Sequence, residues 1–191
     1  LQEKLRLLFP FNPTKEQNKC ITTISDYVST IGNRSIYILK GFAGTGKTTL
    51  VSTLVKSLPT LGKRSVLMAP TGRAAKILTQ YSKKSASTIH KKIYWIRTNK
   101  NGNNFITLKD NTHINTIFIV DEASMIPENS DTGFGNRSLL DDLIKYVYAG
   151  MDCKLILIGD TAQLPPVHLD ISPALDQNKL EINFNKQIIS K

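Results

Sequence analysis

The sequence has little that would let a fold be stapled instead of packed. Its 191 residues include two cysteines, Cys20 and Cys153, too few and too far apart for a disulfide framework or a cysteine zinc site. Both read as ordinary core thiols in a reducing compartment. No apolar run approaches the ~18 residues that a membrane span requires, so no membrane partner is expected. Leu1 to Phe9 lacks the apolar stretch and small-residue cleavage site of a secretory leader, and a cytoplasmic location is the default expectation. Negative charge is also short. Asp and Glu number 15 against 25 Lys and Arg, a net charge of +10. A surplus of that size favours a polyanionic partner, while a merely solvated basic surface carries the same sum.

What is present suits one packed domain over residues 1–191, since 40% of the chain is hydrophobic. Pro13-Thr14 with Glu16 and Gln17 behind it predicts a helix start, Thr14 as its cap. Ile21, Ile24, Val28 and Ile31 continue it at helical period as far as Gly32-Asn33. Ser35 to Lys40 predicts a strand running into a glycine-rich turn, then a helix carrying Leu50, Val51, Leu54, Val55 and Leu58. A second strand, Ser65 to Ala69, stops at Pro70. The helix after it, Gly72 to Tyr81, turns Ala74, Ala75, Ile77, Leu78 and Tyr81 inward, and Ser87 is placed to cap a short helix through Lys92.

Thr116 to Val120 is almost wholly apolar, as expected of a strand covered on both faces. Glu128 to Asn136 reads as a flexible loop. Leu139, Leu140, Leu143, Ile144 and Val147 then mark a helix, and Lys154 to Ile158 is the last clear strand. Strands alternating with helices predict an α/β fold, a mostly parallel sheet with helices on both faces. Two stretches depart from the alternation. Tyr94 to Leu108 reads as a β-hairpin around Asn101-Gly102-Asn103-Asn104, and the tail after Val167 has no clear pattern.

Gly41-Phe42-Ala43-Gly44-Thr45-Gly46-Lys47-Thr48 matches G-x-x-x-x-G-K-[ST] between a predicted strand and a predicted helix. Glycines let such a loop turn its N–H groups toward phosphate oxygens, and the following helix presents its positive end to the same anion. Lys47 is suited to the β- and γ-phosphates of ATP and the Thr48 hydroxyl to Mg2+. Asp121-Glu122 ends the apolar strand, and ligands of open parallel sheets bind beyond the carboxyl ends of strands. Asp121 is the expected magnesium partner, and Glu122 is an acceptor for the proton of an attacking water. A helix-start charge pair is the plainer reading of the same two acids. In Gly159-Asp160-Thr161-Ala162-Gln163-Leu164-Pro165-Pro166, Gln163 can donate to a γ-phosphate oxygen without adding charge, although a loop glutamine is ordinarily just solvated.

Together with Ala69-Pro70-Thr71-Gly72-Arg73-Ala74-Ala75 and Ser87-Thr88-Ile89-His90, these motifs resemble superfamily-1 DNA helicases of the RecD/Dda-like, exodeoxyribonuclease V alpha-chain-like branch. The likeness runs from Phe11 to Val167. It implies a RecA-like P-loop NTPase fold with ATP held by Gly41, Ala43, Gly44, Thr45, Gly46, Lys47, Thr48 and Thr49. It also implies adenine read by Gln17, an amide being the right bidentate partner for that base. Gln17 has a second reading as a capping-box residue, and the two are compatible. Thr71, Thr88 and His90 fall where such enzymes contact single-stranded DNA. Read singly, Thr71 is also a helix cap and His90 a satisfied polar residue. The hairpin at 94–108 lies where the family inserts a pin at single-strand/duplex junctions, with Trp95 and Phe105 as its aromatics; a surface hairpin with no mechanical role is the alternative.

Such helicases close ATP between two RecA-like domains. The residues after Val167 contain no arginine to serve as the finger a second domain supplies. The expectation is therefore a first motor domain whose C-terminal RecA-like partner is missing, and which binds nucleotide but turns it over poorly. The competing readings are a nucleic-acid-binding P-loop module without turnover and a P-loop small-molecule kinase.

Overall fold

The computed structural model describes residues 1–32, 35–98, 102, 104–127, 138–160, 172–184 and 188–190. Its helices are α1 (Gln2–Leu8), α2 (Lys15–Ser29), α3 (Lys47–Ser57), α4 (Gly72–Ser82), α5 (Ile89–Ile93), α6 (Leu139–Ala149) and α7 (Gln177–Phe184). The strands are β1 (Ile36–Lys40), β2 (Arg64–Ala69), β3 (Ala86–Thr88), β4 (Tyr94–Thr98), β5 (Asn104–Leu108), β6 (Thr116–Val120), β7 (Lys154–Gly159) and β8 (Ile188–Ser190). Six strands form one sheet in the order β3-β2-β6-β7-β1-β8, every neighbouring pair parallel. β4 and β5 pair antiparallel in a sheet of their own.

Side-chain alternation along the parallel strands divides the core in two. Ile36 and Ile38 of β1, Phe118 and Val120 of β6, and Leu155 and Leu157 of β7 pack with α5 and α6. Their neighbours Tyr37, Leu39, Ile117, Ile119, Ile156 and Ile158 pack with α1, α2, α3 and Leu78 of α4. Covering on both faces is why these strands read as unbroken apolar runs. The expected α/β fold with helices on both faces is thus the observed one. No helix among the described residues is long and apolar enough to cross a membrane.

Several expectations are corrected. α2 closes earlier than the periodicity indicates: Thr30 is extended and its N–H returns to Asp26 O at 3.0 Å, so Ile31 falls off the helical stripe and is 81% exposed. In α4 the buried stripe runs Ala75, Leu78, Ser82, which turns Ile77 outward at 50% exposure. Ser87 caps nothing. It lies in β3 opposite Met68, and Thr88 caps α5 by accepting from Lys91 N at 3.2 Å. The tail is patterned after all, since it supplies α7 and the edge strand β8, which pairs with β1. The loop expected at 128–136 lies outside the described residues.

Candidate functional site

The site lies at the carboxyl edge of the parallel sheet, where β1, β7 and β6 run side by side. Strand β1 passes into the phosphate-loop motif, and Gly41 N–H extends the β1–β7 ladder by donating to Gly159 O at 3.3 Å. The loop turns tightly over Thr45, whose hydroxyl donates to Phe42 O at 2.8 Å. Gly44 and Gly46 have φ of +78° and +89°, left-handed conformations that side chains resist. Helix α3 begins at Lys47, so the N–H groups of its first turn have no partner within the helix and form a ready anion cradle.

Strand β6 delivers the acids. In an extended strand, consecutive side chains point to opposite faces. Here Glu122 takes φ +55° and ψ +37° and starts a 3₁₀ turn over Ala123–Met125, so Asp121 and Glu122 both line one cavity. A non-glycine left-handed residue carries roughly 1–2 kcal/mol of strain, the kind that collects at functional sites. Strand β7 closes the third side with Gly159 and Asp160. A Cβ on Gly159 would sit 2.7 Å from Leu175 Cδ1 and 3.2 Å from Ser124 N, so a larger residue there would have to displace Leu175 and crowd the Ala123–Met125 turn.

The cavity measures about 450 Å³ and is walled by Ala43, Gly44, Gly46, Lys47, Thr48 and Thr49 on one side and Asp121, Glu122, Gly159 and Asp160 on the other. Lys47 Nζ donates to Gly41 O at 2.5 Å and Phe42 O at 2.8 Å and lies 3.9 Å from Asp160 Oδ2. Among the described residues, three carboxylates thus share the cavity with one ammonium, a balance that invites a cation. The donors are hard oxygens, including the Thr48 hydroxyl, as a magnesium ion prefers. Among the described residues no three His, Cys, Asp or Glu side chains gather closely enough to cage a metal unaided. That also fits magnesium, which keeps waters and uses one or two carboxylates together with substrate phosphates.

Gln17 sits across the loop from this cavity, in a second hollow of about 390 Å³ lined also by Phe9, Cys20, Leu39, Phe42 and Leu50. The capping box is formed: Gln17 N–H donates to Thr14 Oγ1 at 3.2 Å and Thr14 N–H to Gln17 Oε1 at 3.0 Å. Gln17 Nε2 also donates to Thr45 O at 3.2 Å, tying α2 to the phosphate loop. Thr71 caps α4 by accepting from Ala74 N at 3.2 Å, as Thr88 caps α5. β2 and β3 pair Ala69 with Thr88, which puts Thr88 and the loop holding Thr71 at the same carboxyl edge of the sheet, and neither threonine lines the cavity. His90 packs its ring 5.8 Å from Tyr94, and burial lowers its pKa below the ordinary histidine value. Gln163 and the prolines after it lie outside the described residues.

Two residues of the neighbourhood were not singled out from the sequence. Asp160 faces Lys47, and its position directly after the strand is the only signal it offers. Tyr81 donates its hydroxyl to Asp121 Oδ2 at 2.6 Å. Burial, then the Asp121 and Glu122 charges, push that hydroxyl's pKa far up, so it stays a donor. Its place on the inward side of α4 was a usable signal, because a buried tyrosine hydroxyl ordinarily finds a partner.

A family model described as an AAA domain matches residues 25–169. The ATP-dependent RecD2 DNA helicase of Deinococcus radiodurans is 30% identical over 137 residues, covering 72% of this chain and 17% of that protein. The ATP-dependent DNA helicase dda of Enterobacteria phage T4 is 33% identical over 132 residues, covering 68% of this chain and 28% of that one. An uncharacterized protein of Acanthamoeba polyphaga mimivirus is 30% identical over 179 residues, 81% of this chain and 33% of its own length. The chain spans a third or less of each of these relatives.

Proposed function

The chain belongs to the AAA domain family, as a motor domain of the superfamily-1, RecD/Dda-like helicase type, and on that premise we propose that it binds Mg-ATP for a DNA translocase. The observation that carries this reading is the convergence of three strand ends, β1, β6 and β7, on one cavity that holds Lys47, Thr48, Asp121 and Glu122. In this reading the loop amides and Lys47 bind the phosphates, and Lys47 exchanges its contacts to Gly41 and Phe42 for phosphate oxygens. Thr48 and Asp121 would hold the magnesium ion, which when bound would supply positive charge against that of the phosphates. Glu122 accepts the proton of the attacking water, and Gln163 reads the γ-phosphate.

Gln17 is proposed to read adenine, and its bonding leaves room for that. Among the described residues its Oε1 accepts once and its Nε2 donates once. An amide oxygen accepts two bonds and an amide NH₂ donates two, so one acceptor and one donor remain for the base. Thr71, Thr88 and His90 are proposed contacts to single-stranded DNA phosphate, which position a strand without reading it. The hairpin is the proposed wedge at the duplex junction. A second RecA-like domain in cis would complete the site, since arginine fingers contribute about 10³–10⁵ in turnover in related phosphoryl-transfer enzymes. Alone, the chain should bind nucleotide and hydrolyse it slowly. A kinase would want a basic lid over the phosphates, whereas this cavity is acidic.

The test is nucleotide affinity of the chain, with ATPase of the full-length enzyme beside it. Lys47→Ala should weaken binding of a fluorescent ATP analogue at least about tenfold, in keeping with a charge-assisted contact. Unchanged affinity would overturn the phosphate-loop assignment. Failure of single-stranded DNA to stimulate the full-length ATPase would remove the helicase reading and leave the nucleotide one standing.

A further inference from the structure

Tyr81 does not line the phosphate cavity, yet its hydroxyl reaches Asp121 Oδ2 at 2.6 Å from the last turn of α4. A hydroxyl donating to a carboxylate makes one of the stronger hydrogen bonds available to side chains. The backbone that carries the ring is tied as well. Ser52 of α3 donates to the Tyr81 carbonyl at 3.2 Å, so the end of α4 is tied to the helix that begins with Lys47. Asp121 is held along its backbone, its N–H donating to Met68 O at 3.0 Å. A carboxylate fixed at its backbone still rotates about its side chain, and the Tyr81 hydrogen bond restrains that rotation.

Building on the magnesium role given above to Asp121, we propose that Tyr81 is a positioning residue of the phosphate site. Its hydroxyl occupies Oδ2, sets the carboxylate's orientation and leaves Oδ1 for the metal. It touches neither nucleotide nor metal and acts only through Asp121. Partners of this kind orient a ligand before the metal arrives, and losing one typically weakens metal affinity about 10–100-fold.

The experiment titrates a fluorescent ATP analogue against the chain in excess EDTA and across a magnesium series. It compares the unaltered chain with Tyr81→Phe and Asp121→Asn. Tyr81→Phe keeps the ring and its packing and removes only the hydroxyl. It should bind nucleotide normally in EDTA and need about 10–100-fold more magnesium to reach the tighter state. Wild-type magnesium dependence in Tyr81→Phe beside a defective Asp121→Asn would overturn this inference alone. Equal loss with and without magnesium would mark Tyr81 as merely structural and also overturn it. Normal magnesium dependence in Asp121→Asn would overturn the metal role of Asp121, and the inference with it. Thermal melting without ligand, expected to stay cooperative in all three proteins and somewhat lower in the two that lose the hydrogen bond, separates these outcomes from misfolding.

Discussion

The six parallel strands and the two antiparallel ones are held by different means. Every residue of β6 and β7 is buried, and their side chains are locked between helices on both faces. Strand β4 is buried only at Tyr94, whose hydroxyl donates to Asp142 of α6 at 2.8 Å, and exposed from Trp95 to Thr98. Lys109 N–H meets Ile93 O at 2.7 Å, so the hairpin is anchored at its base. In the sheet, packing explains each large side chain. In the hairpin it does not: Trp95 is 55% exposed and Phe105 is 42% exposed, on the hairpin face that also carries Arg97. Exposed aromatics beside cations suit base stacking, which is in keeping with the wedge role proposed for this hairpin.

That contrast can be broken most forcefully from inside the sheet. Phe118 is fully buried, packing edge-on to Tyr146 and His113. Phe118→Ala should cost about 3–5 kcal/mol, read as a fall in the denaturation midpoint, and should take nucleotide binding with it. Gly46→Ala probes the joint between sheet and site. It places a Cβ 2.7 Å from Gln17 Nε2 and forces a left-handed conformation on a residue with a side chain. The expected loss is roughly 1–2 kcal/mol of stability, with a clear loss of affinity in a nucleotide titration. Trp95→Ala should do least to the fold, under about 1 kcal/mol, since it loses only an exposed ring with Lys109 Nζ 4.4 Å from its centre. Its effect belongs in the full-length enzyme, as slower unwinding at undiminished ATPase. If unwinding and ATPase fall together, or neither falls, the hairpin is no wedge.

Most of the sheet and most of the site were legible in the sequence, for a common reason. Strands buried on both faces announce themselves as apolar runs, and a phosphate loop is defined by local backbone demands that glycine alone meets. The two strands that escaped notice, β3 and β8, have three residues each. They owe their place to backbone hydrogen bonds with β2 and β1, which no side-chain pattern encodes. Glu122 was legible as an acid but not as a left-handed turn, because nothing local favours that backbone and the surrounding packing imposes it. The bond from Tyr81 to Asp121 spans 40 positions and depends on how α4 settles against the sheet. No motif spacing contains it.

The spatial order of the sheet also sets an order in time. β1, which carries the phosphate loop, is flanked by β7 and β8, and Ile36 pairs with Leu155. As the chain leaves the ribosome, β1 therefore has no neighbour to bond until Lys154 has emerged, on the order of ten seconds later at ordinary synthesis rates. Pairings of such long range add a large loop-closure penalty before any contact rewards it. Through that interval an apolar strand stands open at both edges, a template for any other strand it meets. The most recognisable segment of this protein is thus also its most vulnerable during birth, and a nascent chain stalled before β7 would display it to chaperones and to its own copies.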